Sequence, residues 1–356
     1  MSEPDDGVDA TNRAMRRYEQ VDKDQHYRLA ERRGAEEFDD DAVIPRCDLG
    51  AWLGGDSAAR REFADQLGAA LREIGFAILV GTGVDPELYA EAERRTIALF
   101  SGLTDAQRTR FAARRHGSVN EGYFPLRTTS GVHPDLVEGW VFGRRAFRGQ
   151  GHDVAVDAFW PTAADEAFFR TLLETHEAFI VPIMQAMLTA LGQPDVHAFD
   201  ERMAGTNVGL RLNYYPPIDA DADASGAGRL LGHEDVTMFT MLPAPSIEGL
   251  QVLDRRTMRW IRLRAPAGSL ILNTGDYMQR ISNDHFRSTT HRVATPASAA
   301  VRARPRATFP LNVYLREREV LRVLPGLGAP KYEPIDAIVF HTRTTAKYYG
   351  DAYAVE

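Results

Sequence analysis

Cysteine is almost absent. Of 356 residues only Cys47 is one, which excludes an intramolecular disulfide and fits a reducing compartment. Long apolar runs are missing too; none approaches the roughly 18 residues that cross a bilayer. Basic residues are outnumbered, 42 Lys and Arg against 50 Asp and Glu, and they form no stripe of the kind a nucleic acid needs. Residues 1–10 are acidic and polar, without the positive start and apolar stretch of a secretory leader. These absences predict a cytoplasmic protein with neither a nucleic-acid nor a membrane partner. What remains is ordinary for a globular chain: 44% apolar residues supply a sizeable core and 26% are charged.

Local patterns divide the chain into four stretches. Residues 1–41 form a polar extension, disordered over 1–10, helical over 11–35 and broken by an acidic run at 36–41. Residues 42–200 mix helices and strands. A short strand, A-V-I-P-R-C-D-L, comes first. Asp56 and Ser57 then cap a helix carrying Phe63, Leu67, Ala70, Leu71 and Ile74 at helical spacing, and Gly75 stands at its end. F-A-I-L-V reads as a buried strand, residues 86–103 as a helix opened by proline, and residues 165–191 as one long amphipathic helix. The stripe Phe168, Leu172, Phe179, Ile183 and Met187 on that last helix is core packing. Residues 201–320 change character, with short strand-like runs separated by Gly, Pro and Asp turns, the pattern of a β sandwich or barrel. Within them, 218–228 reads as a surface loop. Residues 321–356 include a helical segment from 336 onward, expected over the barrel mouth.

The chemistry is concentrated between Gly232 and Asn312. There the chain spells G-H-E-D-V-T-M-F-T-M-L, then H-R-V-A-T-P, then R-A-T-F-P-L-N-V. His233, Asp235 and His291 are two imidazoles and one carboxylate, the ligand set of a facial triad. Such a triad grips a non-haem Fe(II) on one side and leaves the other side open to substrate and O2. On a strand, residues i and i+2 share a face, so His233 and Asp235 can meet one metal while Glu234 turns away. A neighbouring strand would deliver His291. An H-x-D pair alone is common and more often a surface hydrogen bond. Its company gives it weight: G-L-Q-V at 249–252, N-T-G-D at 273–276, S-N at 282–283, then H-R-V and R-x-T, in that order.

These landmarks carry a family likeness. Over about 300 residues the chain resembles the isopenicillin N synthase-like branch of the Fe(II)/2-oxoglutarate-dependent oxygenases. The likeness runs from I-P-x-x-D-L at 44–49 and the strand G-F-A-I-L-V, through G-Y at 122–123 and N-Y-Y-P at 213–216, to the triad and R-x-T. It implies a mainly β fold with flanking helices, a double-stranded β-helix (jelly-roll) core holding the metal near one end. It implies a dioxygenase using Fe(II), 2-oxoglutarate and O2. The cosubstrate becomes succinate and CO2 while a small molecule is hydroxylated, desaturated or cyclised. Carried over by position, His233, Asp235 and His291 are the iron ligands. Arg306 and Thr308 stand at the R-x-S pair that grips the distal carboxylate of 2-oxoglutarate; threonine for serine keeps the hydroxyl, and a guanidinium pairs bidentately with a carboxylate. Asn213 and Tyr215 match positions lining the 2-oxoglutarate site. Tyr123, Arg127 and Glu138 fall where relatives line the substrate pocket.

Other residues receive plainer readings. Arg302 and Arg304 are exposed, His285 is a variable loop residue rather than a ligand, and Cys47 belongs to the core. Arg127, Arg144 and Arg145 hint at an anionic substrate. Halogenation is disfavoured, because halide would need the place that Asp235 takes. Two alternatives stay open: an oxidase of the same fold that uses no 2-oxoglutarate, and a jelly roll that binds a small molecule without catalysis.

Overall fold

The computed structural model describes residues 16–23, 38–128, 134–148, 159–218 and 229–355. Two sheets face each other. The larger runs β1 (Arg46–Asp48), β2 (Phe76–Val80), β13 (Leu270–Thr274), β10 (Phe239–Pro243), β16 (Leu311–Val313), β8 (Val208–Tyr215), β7 (Glu138–Phe142), β4 (Val119–Phe124) and β3 (Arg114–His116), with β15 (Arg306–Thr308) also paired to β8. The smaller runs β12 (Arg259–Arg262), β11 (Leu250–Asp254), β14 (His291–Val293) and β9 (Leu230–His233). Two short pairs complete the set, β5 (Arg127–Thr128) with β6 (Pro134–Asp135) and β17 (Val320–Leu321) with β18 (Ile335–Asp336). Facing sheets joined by chain segments that cross between them form the jelly roll expected from the sequence.

Alternation along the strands builds two cores. Ala77 and Leu79 of β2 and Leu270 and Leu272 of β13 point outward and pack with Leu67, Leu71, Ile183 and Met187 of the flanking helices. Their neighbours Phe76, Ile78 and Ile271 point inward, against Leu250, Val252 and Ile261 of the smaller sheet. A strand buried on both faces reads as an unbroken apolar run, which is why F-A-I-L-V shows no period of two. The strand β8 keeps the alternation for function: Leu210, Leu212 and Tyr214 face the helices, while Arg211, Asn213 and Tyr215 face the space between the sheets.

Local signals account for the helices. Asp56 caps Ser57–Glu73 by accepting from the backbone N–H groups of Ala58 and Ala59, and Asp85 caps Pro86–Gly102 through Glu87 N. Gly75 takes φ +75° just past the first of these, where a Cβ would come within 2.4 Å of Thr289 Oγ1.

The expected long helix over 165–191 is instead two, Ala163–Glu177 and Ile180–Ala190. Pro182 has no N–H to donate to the Ala178 carbonyl, so the helix is interrupted there. The expected C-terminal helix is present as Ala337–Tyr349, and its His341, Thr345 and Tyr348 reach the space between the sheets.

Most of the polar extension, and residues 219–228 of the expected surface loop, lie outside the described residues. The described parts of the extension, 16–23 and 38–41, are tied to the domain: Val21 and Lys23 are buried, Lys23 forms an ion pair with Asp276, and Phe38 bridges to Trp260.

Candidate metal centre

His233 ends β9 and His291 opens β14. The two are cross-strand partners, with a register shift between His291 and Val293. Irregular pairing of this kind re-aims side chains next to a site. Asp235 is not on the strand that the sequence suggests. β9 stops at His233, and Asp235 lies where the chain crosses from the smaller sheet to β10 of the larger.

Backbone bonds from the end of N-T-G-D and the residue after it pin that crossing: Asp276 N donates to Asp235 O at 2.8 Å and Tyr277 N to Thr237 O at 3.0 Å. These N–H groups belong to the first turn of helix Asp276–Ile281, where they have no partner within the helix. Gly275 is required for the approach, since a Cβ there would sit 2.4 Å from Thr237 O.

One ligand atom from each of His233, Asp235 and His291 lies within 4.8 Å of the others. His233 Nε2 is 3.8 Å and His291 Nε2 3.9 Å from Asp235 Oδ1. The outward atoms are already engaged. His233 Nδ1 donates to Leu231 O at 2.8 Å and His291 Nδ1 to Thr289 O at 3.1 Å, which sets the tautomer and leaves each Nε2 lone pair inward. Asp235 Oδ2 accepts from Thr240 Oγ1 at 2.7 Å and Asn273 Nδ2 at 2.8 Å, leaving Oδ1 for the centre.

Burial first, and then the neighbouring His291, pushes the His233 imidazole down to about 4, so it is neutral at physiological pH. Burial opposes ionisation of Asp235, but His291, His233 and the two donors outweigh it and hold its carboxyl below the ordinary value. Two imidazole nitrogens and a carboxylate oxygen, with the distal atoms fixed, fit a divalent iron ion.

The donors Thr240 and Asn273 were not singled out from the sequence, although N-T-G-D was a landmark. Thr240 sits opposite Asn273 on one side and Asn312 on the other, so three strands present a polar row at one level. No local pattern marks such a row.

The triad opens on a cavity of about 330 Å³ whose lining includes Asn213, Tyr215, Arg306 and Thr308. Arg306 opposes Tyr215, and Thr308 opposes Asn213, across β15 and β8. Arg306 is 1% exposed; its Nε donates to Ile247 O at 2.9 Å, and its buried Nη1 has no partner. A buried, half-satisfied guanidinium is costly unless an anion completes it, which is what the carboxylate of 2-oxoglutarate would do.

The residues expected on the substrate side are arranged differently. Tyr123 donates to Glu138 Oε2 at 2.5 Å, Arg108 stands 3.7 Å from the same carboxylate, and neither Tyr123 nor Glu138 lines the cavity. Arg144 pairs with Glu177 at 2.9 Å, and neither it nor Arg145 reaches the cavity. The side chain of Arg127 is outside the described residues. The cavity arginine that sequence reading missed is Arg211, two positions before Asn213 on the same face of β8. His285 stands outside the cluster, with Nδ1 on Ser282 O, and Cys47 is fully buried.

Comparison with known proteins decides the family. The model of the 2OG-Fe(II) oxygenase superfamily matches residues 206–309, and that of the non-haem dioxygenase in morphine synthesis N-terminal region matches 44–163. The chain is 30% identical over 275 residues to the 2-oxoglutarate-dependent dioxygenase citB of Monascus ruber, covering 70% of this chain and 79% of citB. The chain belongs to the 2OG-Fe(II) oxygenase superfamily.

The 2-oxoglutarate-Fe(II) type oxidoreductase hxnY of Emericella nidulans is 26% identical over 331 residues, 87% of this chain and 91% of hxnY. A full-length Neurospora crassa protein, solved in complex with alpha-KG and thymine, superposes with a TM-score of 0.73 at 23% identity, covering 90% of this chain and 100% of the Neurospora chain. That likeness establishes the double-stranded β-helix fold. This member of the superfamily is an oxidoreductase, a 2-oxoglutarate-dependent dioxygenase acting on small molecules with Fe(II), 2-oxoglutarate and O2. Neither alternative, an oxidase without 2-oxoglutarate or a non-catalytic binder, is needed. No helix among the described residues is long and apolar enough to cross a membrane.

Proposed function

We propose that His233, Asp235 and His291 hold the Fe(II), and that Arg306 and Thr308, with Asn213 and Tyr215, hold the far carboxylate of 2-oxoglutarate. A small organic substrate then lies on the other side of the triad. The cavity wall is mostly apolar, and beside Phe124 and Val141 stands the cation of Arg211, whose Nε donates to Asn213 Oδ1. The substrate class we infer is therefore a largely apolar molecule carrying an anionic or carbonyl group for Arg211 to meet. It is hydroxylated, desaturated or cyclised.

When bound, the iron supplies oxidation of a C–H bond at the expense of 2-oxoglutarate and O2. The chain supplies geometry. Thr240 and Asn273 hold Asp235 so that one oxygen faces the imidazoles, and the Leu231 and Thr289 carbonyls hold the ring tautomers. Phe76, edge-on to His291 at 5.3 Å between ring centroids, closes the wall behind that ligand against water. Arg306 orients the cosubstrate from a buried position, where its pairing is strengthened by the low local dielectric. The single buried Cys47 supports a cytoplasmic setting.

The observation that carries this reading is the convergence of three unengaged ligand atoms in the same cavity as a buried guanidinium whose Nη1 lacks a partner. The test is anaerobic titration of Fe(II) and then 2-oxoglutarate into wild type, His233→Ala, Asp235→Ala and His291→Ala. Wild type should bind both and release succinate on exposure to O2. Iron binding that survives all three substitutions would refute it.

A further inference from the structure

Arg229, immediately before β9, is fully buried, and no step above uses it. Its side chain reaches from the smaller sheet to the start of β15, where Nη2 makes only a long 3.4 Å contact with Arg304 O. Nε and Nη1 are buried without a hydrogen-bond partner. Among the described residues no carboxylate forms an ion pair with it.

The Cζ of Arg229 lies 5.8 Å from the centroid of the Tyr215 ring, and the Cζ of Arg306 lies 4.7 Å from the same centroid. One phenol ring therefore has two buried guanidinium groups as neighbours, each with an unpaired nitrogen. Glu93 acts on Arg306 only from a distance, and its Oε1 is taken by Ser246 at 2.6 Å. Burial, and then the charge of Arg306, pushes Arg229 down to about 10, so Arg229 stays cationic at neutral pH and the two groups repel.

Two like charges out of water, with no counterion among the described residues, are unfavourable in the free protein. An anion at Arg306 relieves both. Arg229 does not line the cavity, so it acts through its field and through Tyr215 rather than by touching the ligand.

We propose that Arg229 is a positioning residue of the cosubstrate site, a second buried positive charge behind Arg306 that makes this chain select a 2-oxo dicarboxylate over a 2-oxo monocarboxylate. The inference rests on Arg306 holding the far carboxylate. A unit charge several ångströms away at an effective dielectric near 20 is worth at least about tenfold in affinity.

The test is calorimetric titration of the Mn(II)-loaded protein with 2-oxoglutarate and with 2-oxobutanoate, which lacks the second carboxylate. Arg229→Met should lose about tenfold or more for 2-oxoglutarate and little for 2-oxobutanoate, narrowing the preference, while Arg229→Lys keeps most of it. Metal-free Arg229→Met should melt no lower than wild type, because an unpaired buried charge has gone; a structural arginine would give the opposite. Arg306→Met separates the two readings. If it leaves 2-oxoglutarate affinity intact, the assignment of the carboxylate site falls. If it lowers that affinity while Arg229→Met leaves both ligands and their ratio unchanged, only the role of Arg229 falls. Failure of both Arg229 variants to fold would mark the residue as structural and likewise overturn the proposal.

Discussion

Replacing Thr240 with valine keeps the side-chain shape and removes one of two donors to the Asp235 carboxylate. A hydrogen bond to a charged group contributes about 1.5–3 kcal/mol. Changes to the partners of metal ligands cost roughly 10–100-fold in metal affinity, which at about 1.4 kcal/mol per decade is a similar range. Asn273 Nδ2, at 2.8 Å, still holds Oδ2 in Thr240→Val, so the expected loss is near the lower end, about tenfold. Asn273→Ala should act similarly. The double variant leaves a buried carboxylate oxygen with neither donor, and its loss should exceed the sum of the two. The assay is competition titration of Fe(II) under argon against a chelator of known affinity, beside melting of the metal-free protein. Because Asp235 needs its donors even without metal, the metal-free variants should also melt lower. Wild-type metal affinity in Thr240→Val would refute the reasoning, since Oδ2 would then not be what orients the ligand.

Three further outcomes are expected. Lys23→Met strips the partner from Asp276, whose side chain is 1% exposed, and should cost about 3–5 kcal/mol in urea unfolding; a change below about 0.5 kcal/mol would show that residues 16–23 do not anchor there. His176 is buried against Tyr89 and pushed down to about 4 by that burial, so the folded state refuses a proton that the unfolded chain accepts below 6.5. Its contribution is present above pH 6.5 and lost as pH falls towards 4, about 3 kcal/mol across that window. His176→Leu should therefore flatten stability between those pH values relative to wild type, and an unchanged slope would count against it. Arg211→Ala should raise KM for the organic substrate more than it weakens 2-oxoglutarate binding, which it reaches only through the bond from its Nε to Asn213 Oδ1. Equal losses for both would place Arg211 on the cosubstrate side instead.

The sequence alone determined everything that is written locally. Asp56 and Gly75 bracket a helix because capping and left-handed backbone are single-residue properties. The buried β2 shows as an apolar run, and the residue types at 233, 235 and 291 point, without coordinates, to the metal chemistry we propose. Pro182 was also legible, and the single helix read across 165–191 overlooked it.

Tertiary structure decided the rest. Asp235 reaches the centre from a sheet-to-sheet crossing held by the backbone of Asp276 and Tyr277, not from strand alternation. The row of Asn273, Thr240 and Asn312 exists only because β13, β10 and β16 are in one register. Arg211 and Arg229 enter the account while Tyr123, Glu138 and Arg144 leave the cavity, because partners distant in sequence fix where a long side chain ends. Residue type and period are properties of a short stretch of chain. Convergence on a point is a property of strand pairing across tens of residues, which no local pattern encodes.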